Sequence, residues 1–416
     1  MKKFLLLLHL LFILSVSVYS DEIKEPEDEF PGETKETFYM EKRMFEFGFL
    51  NFGLGVSNSF LSAGEIFREK IAVDINKLED GLRFNLDASV SPFFLDINYL
   101  DKWGIGFSME TAAMGVVNLS GKMLALNEIS GDKSDVSAAV FSEARLKGFF
   151  HIGRIKLLIK PAVYYPLVYI KPDISYTYQN TDNGTSSDTV LNVNINLFIY
   201  TAVSMEDFSG DIDVTASPGA DINLGFEYPL SEVIGLSSKL PFLDFDIGLE
   251  LFNIPLVPSV MRNYLLISAR IGGEEPLNLF SGDVDLDSFL TIDDSVYGEE
   301  DMFVFRPFKL LTWAHWRPFK RQPLTIIPSL GFAVNPLYHK PFSMEGGVTA
   351  RLDLANIFIT EFGNNYTDRV WKNSLDFALN TRAVEFNFGL SMQSAKFLKS
   401  WTAAGFGMKM GIKFGW

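Results

Sequence analysis

The last thirteen residues of the chain, AGFGMKMGIKFGW, alternate without a fault. Ala404, Phe406, Met408, Met410, Ile412, Phe414 and Trp416 fall on one face of an extended chain, and Gly405, Gly407, Lys409, Gly411, Lys413 and Gly415 on the other. Successive side chains on a strand point to opposite sides, so the segment reads as one long strand with one wholly apolar face. Strands in soluble proteins average about 5 to 6 residues. A tilted strand that crosses a bilayer needs about 9 to 11. The same alternation recurs in FNLDASV, WGIGFSME, LNVNINLFI, ADINLGFEY, LDFDIGLEL, FSMEGGVTARLDL and VEFNFGLSMQ, and near the start in MFEFGFLNFGLGV. About 14 to 16 such segments fit between Arg43 and Trp416, roughly 25 residues per strand and turn.

Alternation alone also describes a soluble sandwich, wet on one face only. Segment length argues for a membrane barrel, and so does the chemistry of the polar faces. These are mostly Gly, Asn, Ser and Asp, mixed with charges of both signs such as Lys156, Lys160, Arg351 and Asp353. That composition suits a wet lumen. Trp103, Tyr164, Tyr165, Tyr169, Trp313, Trp316, Trp371, Trp401 and Trp416 fall near the ends of predicted strands, where interfacial girdles sit. In lipid every backbone group needs an internal partner, so the strands must close on themselves. The expected fold is all-β: a transmembrane antiparallel β-barrel over 43–416 with a short helical insert after the first strand. Phe406, Met408, Met410, Ile412, Phe414 and Trp416 are expected to face lipid. Asn192, Asn194, Asp244, Asp246, Lys409 and Lys413 are expected to face the lumen.

The N-terminus sets the compartment. Residues 1–20, MKKFLLLLHLLFILSVSVYS, carry two lysines, an apolar run and a small-residue end. That is the form of a cleaved secretory signal peptide, with Val18 and Ser20 before the cut. Residues 21–42 are acidic, contain Pro26 and Pro31, and read as a flexible periplasmic lead-in. A net charge of -16 argues against nucleic acid as a partner. The absence of cysteine removes disulfides, thiolate metal sites and cysteine nucleophiles.

Some stretches interrupt the pattern. Residues 60–80 carry Phe67, Ile71, Ile75 and Leu78 at helical spacing, as a plug in the lumen or a helix at a loop end. NLSGKMLALNE and PLSEVIGL each suit a turn or two of helix. Residues 171–189 are polar and read as a long exposed loop. Residues 273–305 read as a second one. Over 272–302 the sequence holds ten Asp or Glu and no Lys or Arg. Asp283, Asp285, Asp287 and Asp294 fall at calcium-loop spacings, but Ser288 replaces the turn glycine and no Glu closes the loop, so a solvated acidic segment is expected.

The stretches FGLGVSNSFLS, KIAVDINKLEDG, KPAVYYPLVYIKPDISYTY, FNIPLVPS and ARLDLANIFI resemble outer-membrane barrel families of spirochaete-type bacteria. The architecture is also similar, more weakly, to FadL-type channels, which pass long-chain fatty acids and other hydrophobic molecules through 14-stranded barrels with an N-terminal plug. Here the helical stretch follows the first predicted strand instead of preceding it. The terminal strand GMKMGIKFGW, ending on an aromatic, resembles the signal read by the outer-membrane barrel-assembly machinery. These likenesses imply an outer-membrane location, with membrane lipid and that machinery as partners, and no cofactor.

No catalytic motif is present. His151, His315 and His339 lie in or beside predicted strands with no serine or acid at a telling spacing, and neither a nucleophile elbow nor a phosphate loop occurs. The sequence therefore points to a channel or transporter for small solutes, hydrophobic ones among them. The alternative is a surface barrel whose segments 171–189 and 273–305 engage external partners. The mature protein is expected to begin at Asp21. Peptide mapping of the membrane fraction that recovers Met1 to Ser20 on the assembled protein would refute the cleavage.

Overall fold

The computed structural model describes residues 43–59, 82–99, 102–119, 135–182, 187–203, 214–230, 244–271, 290–292, 295–318, 323–402 and 404–416. The signal peptide, the lead-in, the helical stretch 60–80, most of the two shorter helical stretches, and Asp283, Asp285, Asp287 and Asp294 lie outside those residues.

Four strands open the fold: β1 (Phe45–Asn58), β2 (Leu82–Tyr99), β3 (Trp103–Leu119) and β4 (Asp135–Ile152). Each pairs antiparallel with the next. β5 (Ile155–Asp182) is twice the usual length, at 28 residues. Its first half pairs with β4 on one side and β7 (Gly219–Tyr228) on the other. β7 pairs with β8 (Asp244–Val257), and β8 with β12 (Phe308–Arg317). From there β13 (Leu324–Val334), β14 (Phe342–Leu354), β15 (Phe358–Thr367), β16 (Val370–Asn380), β17 (Val384–Ser394) and β18 (Phe406–Gly415) follow in order. β18 returns to β1, from Glu46↔Gly415 to Val56↔Phe406. Among the described residues this is a closed ring of 14 antiparallel strands. Backbone bonds between Met44, Phe45 and Trp416, at 2.9 to 3.1 Å, fasten the two chain ends together.

A second layer of pairing rises beyond the ring. The far half of β5 pairs with β6 (Ser187–Thr201), β6 with β9 (Ser259–Ile271), and β9 with β10 (Leu290–Ile292) and β11 (Val296–Val304). The sequence expectation of loops at 171–189 and 273–305 is thereby corrected: β5 and β6 run through most of the first, and β10 and β11 occupy part of the second. Backbone pairing, which polar side chains do not prevent, carries both segments as strands. Pro258 separates β8 from β9 and Pro307 separates β11 from β12. Proline has no N–H to give to a ladder, so these breaks fall where ring and extension part.

Polarity is inverted relative to a soluble protein. Asp221, Asn223, Glu250, Glu345, Asn373 and Gln393 are buried, whereas Phe49, Leu54, Ile105, Leu146, Val163, Leu330, Met344, Phe386, Phe406 and Met410 are exposed. The exposed set recurs at every second position around the ring, which makes it a band and not a patch. On β5 the band ends at Leu167, and the next exposed residues are Lys171 and Asp173. Farther out, Arg262 pairs with Asp301 at 3.2 Å on the surface.

Aromatics flank the band. Phe45 stacks on Trp416 at 4.6 Å and Tyr99 on Trp103 at 5.6 Å at the end that holds the chain termini. At the far end Trp371 meets Tyr366 at 5.0 Å and Phe397 at 4.9 Å, the latter from the single-turn helix α1 (Phe397–Ser400). Not every aromatic expected in a girdle is there. Tyr164 and Tyr169 are buried in an internal cluster, and Trp313 lies over Gly248, where a Cβ would sit 2.4 Å from its ring. Glycine on the inner face lets an aromatic lie flat against the wall, and Phe94 does the same over Gly48.

The alternation of β18 gives a direct test. Met410 is exposed on the band, while Lys409 pairs with Asp376 at 3.6 Å on the inner face. A charge facing lipid near the midplane costs about 2–4 kcal/mol. Met410→Arg is expected to impair folding into lipid vesicles, read as heat-modifiable mobility, and Lys409→Gln to leave it intact. Equal effects would refute the assignment of faces.

Candidate functional site

The ring encloses more space than its side chains fill. Near the chain termini a cavity of about 360 Å³ lies among Arg43, Glu46, Asp96, Lys147, Lys160 and Glu385. It adjoins a central cavity of about 1040 Å³, through Asn356 and Glu385, and a third of about 760 Å³, through Lys147 and Lys160. The central and third cavities share Ser91, Glu110, Leu311, Glu345 and Thr367. The three form one lumen.

Its wall is charged, and the charges are matched. Lys160 meets Glu250 at 2.7 Å, Lys156 meets Glu227 at 3.0 Å, Lys372 meets Asp87 at 2.9 Å, and Arg351 meets Glu361 at 3.1 Å. The expected lumen residues take part. Arg317 reaches Asp244 at 3.6 Å and Asp246 at 2.5 Å, and Lys413 reaches Glu385 at 3.0 Å. Lys409, 71% exposed, pairs with Asp376 at 3.6 Å. Asn192 and Asn194 are placed elsewhere, on β6, which belongs to the extension and not to the ring. Phe406, Met410, Ile412, Phe414 and Trp416 are exposed on the opposite face of β18 from the lysines, and Met408 is half-buried.

A tighter cluster, invisible in the linear sequence, sits against β4, β5 and β7. Arg306, in the break before β12, donates two hydrogen bonds to Asp221, at 2.6 and 2.7 Å, and also pairs with Glu143. Its guanidinium lies over the Tyr164 ring at 5.0 Å. Arg145 adds two bonds to Glu143 and one, at 3.2 Å, to the side chain of Asn253. Asn253 has φ of +53° at a bulge in β8, and its side chain also donates to the Pro307 carbonyl at 2.8 Å. The Pro307 break thus turns Arg306 inward to gather three neighbouring strands.

At the far mouth the loop Asn335–Pro341 crosses the lumen. It leaves β13, yet Tyr338 accepts a hydrogen bond from Asn85 of β2 at 2.8 Å, on the opposite side of the ring. The Asp135 carboxylate at the start of β4 accepts from the His339 backbone N–H at 2.6 Å. Tyr338 donates to the Asp368 carbonyl at 3.0 Å, and Arg369 covers its ring at 4.2 Å. Leu337 is buried in an apolar cluster with Phe141, Tyr164, Met261 and Val304. Burial alone would raise the Asp368 carboxyl, but the Lys309 ammonium at 2.9 Å outweighs it and holds the group below its ordinary range. A depressed carboxyl stabilises the folded protein above its unfolded value near 3.8, and that contribution is lost as pH falls through the lower folded value. Burial raises the Tyr338 hydroxyl, which stays protonated as a donor. The Asn-Pro pair that opens this loop is a legible turn signal. Its inward fold is not legible.

No protein-family model matches the sequence, and no curated protein matches it. Among solved structures, the P. putida toluene transporter TodX is similar at 9% identity and a TM-score of 0.47, over 89% of this chain and 89% of that one. The CymD monoaromatic hydrocarbon channel is similar at 8% identity and a TM-score of 0.45, over 90% and 89%. Nothing further rests on likenesses this distant.

The Arg306 cluster yields a prediction. The Arg306 side chain is 8% exposed and that of Asp221 2%, so removing the cation strands the buried Asp221 carboxylate, while Glu143 keeps Arg145. Breaking a buried pair this way costs on the order of 3–5 kcal/mol. Arg306→Ala is expected to lower the temperature of barrel unfolding in detergent markedly, and the double change Arg306→Met with Asp221→Asn to recover much of the loss. An unchanged melting temperature in Arg306→Ala would show that the cluster is not a structural tie.

Proposed function

We propose that this chain is an outer-membrane channel for small, mainly apolar solutes, exported by a cleaved signal peptide and closed at its far mouth by the loop 335–341. The observation that carries the reading is a lumen continuous from the start of β1 to a loop that, among the described residues, crosses its far mouth. The termini end faces the periplasm on this reading, and the extension of β5, β6, β9 and β11 stands outside the cell. Apolar solutes are favoured by the lining just beneath the loop. Phe94, Met114, Phe141, Phe252 and Leu311 face the third cavity, in a wall that also carries Glu110, Arg145, Lys147, Lys160 and Lys309. Farther in, the matched charges offer a polar but nearly neutral wall, which neither traps ions strongly nor excludes them.

Mechanistically the protein has little to do beyond shape. The outer band holds the ring in lipid, the paired charges keep the lumen wet, and the loop decides whether the mouth is open. Purified protein in planar bilayers is expected to show low conductance. Replacing 336–340 by two glycines is expected to raise it on the order of tenfold, with faster naphthalene entry into vesicles. If both proteins are silent and neither admits naphthalene, the channel reading is wrong.

A further inference from the structure

Leu337 is an apolar side chain delivered to an apolar socket by a loop that is otherwise held by polar contacts. The socket is the buried apolar cluster that Leu337 shares with Ala139 and Phe141 of β4, Tyr164 and Tyr169 of β5, Tyr200 of β6, Met261 of β9 and Val304 of β11, with Met114 packed against it. Met114 and Phe141 also line the third cavity, so the socket opens on the lumen. The loop's anchors lie elsewhere: Asn85, Asp135, the Asp368 carbonyl and Arg369 touch Tyr338, His339 and Lys340 and leave Leu337 alone. We propose that the Leu337 socket is a binding site for a compact, uncharged apolar solute, and that such a solute opens the mouth by displacing Leu337. The proposal rests on the channel reading for its purpose, but the binding site stands on its own geometry.

The chemistry of the site selects its ligand. Apolar groups leave water favourably into a surface of this kind, and the driving force scales with the area buried. The charges bordering the socket, Arg306, Asp221, Glu143 and Arg145, are already paired with one another. An ionised ligand would give up its hydration and find no vacant counter-charge among them. The adjoining cavity of about 760 Å³ lies in the range that holds small organic ligands. Displacement couples binding to opening, because a solute that binds only the open state shifts the loop by its differential affinity alone.

The lack of native cysteine makes the test clean. The Asp135 carboxylate touches the His339 backbone nitrogen directly, so cysteines at these two positions lie within disulfide reach. Naphthalene is the probe, its binding to full-length protein in detergent followed by its own fluorescence and its flux in vesicles. Leu337→Ala empties the socket and is expected to bind naphthalene on the order of tenfold more tightly than wild type. The oxidised Asp135→Cys/His339→Cys protein, its loop locked, is expected to bind several-fold more weakly than the same protein after reduction. Equal affinity in Leu337→Ala and wild type, or in locked and reduced protein, overturns the site. If the affinity pattern holds while reduced protein still passes no naphthalene, the binding site stands and the channel reading falls. If Leu337→Ala fails to reach its heat-modifiable form, the locked and reduced pair decides alone.

Discussion

Every other feature of this molecule depends on the hydrogen bonds that join its first strand to its last. A backbone N–H or C=O left open in hydrocarbon costs several kcal/mol, and a sheet in lipid can avoid this only by having no edge. β1 and β18 supply that closure over most of their length, and the Trp416 carbonyl accepts from both Met44 and Phe45 at the seam. Once the ring is closed, alternate side chains have no choice of environment. One set meets lipid and the other meets the lumen.

The lumen then poses the opposite problem. Charged groups pointing into a confined space repel or attract strongly, and this chain answers by pairing them across neighbouring strands. Lys156, Lys160, Arg317, Arg351 and Lys413 each find a carboxylate one or two strands away, and Lys372 of β16 reaches Asp87 of β2, four strands round the ring. Near β4 to β8 the answer goes further: Arg306 binds two acids at once and the wall fills with aromatic and aliphatic side chains. Open space is displaced toward β14 to β18, where the cavity of about 1040 Å³ lies. The loop from β13 completes the asymmetry by bracing itself against β2 and β4.

The fold was legible because lipid imposes a pattern on sequence directly. The period of two in AGFGMKMGIKFGW matches the alternation of β18, whose Lys409 and Lys413 pair with Asp376 and Glu385 while Phe406, Ile412 and Phe414 are exposed on the other face. Length was legible for the same reason. What could not be read was any contact set by ring geometry. Nothing near Arg306 in the chain announces Asp221 or Glu143, and nothing near Tyr338 announces Asn85. Polar content misled at 171–189, since polar residues can pair as strand backbone while showing no apolar stripe by which strands are recognised. Tyr164 and Tyr169 misled in the other sense: their position near a predicted strand end suggested the interface, but a local infolding of the wall buried them.

The long ribbon has a consequence for how the molecule carries charge. β5 runs twelve residues past Ile170, a span of about 40 Å at roughly 3.3 Å per residue. At physiological ionic strength a charge is screened beyond about 8 Å. Acidic residues near the summit of the extension are therefore several screening lengths from the ions that gather at the mouth. On the orientation proposed above, substitutions there change the face the cell shows its surroundings, and the lumen does not register them electrically. The surface and the passage can diverge in evolution as if they belonged to two proteins.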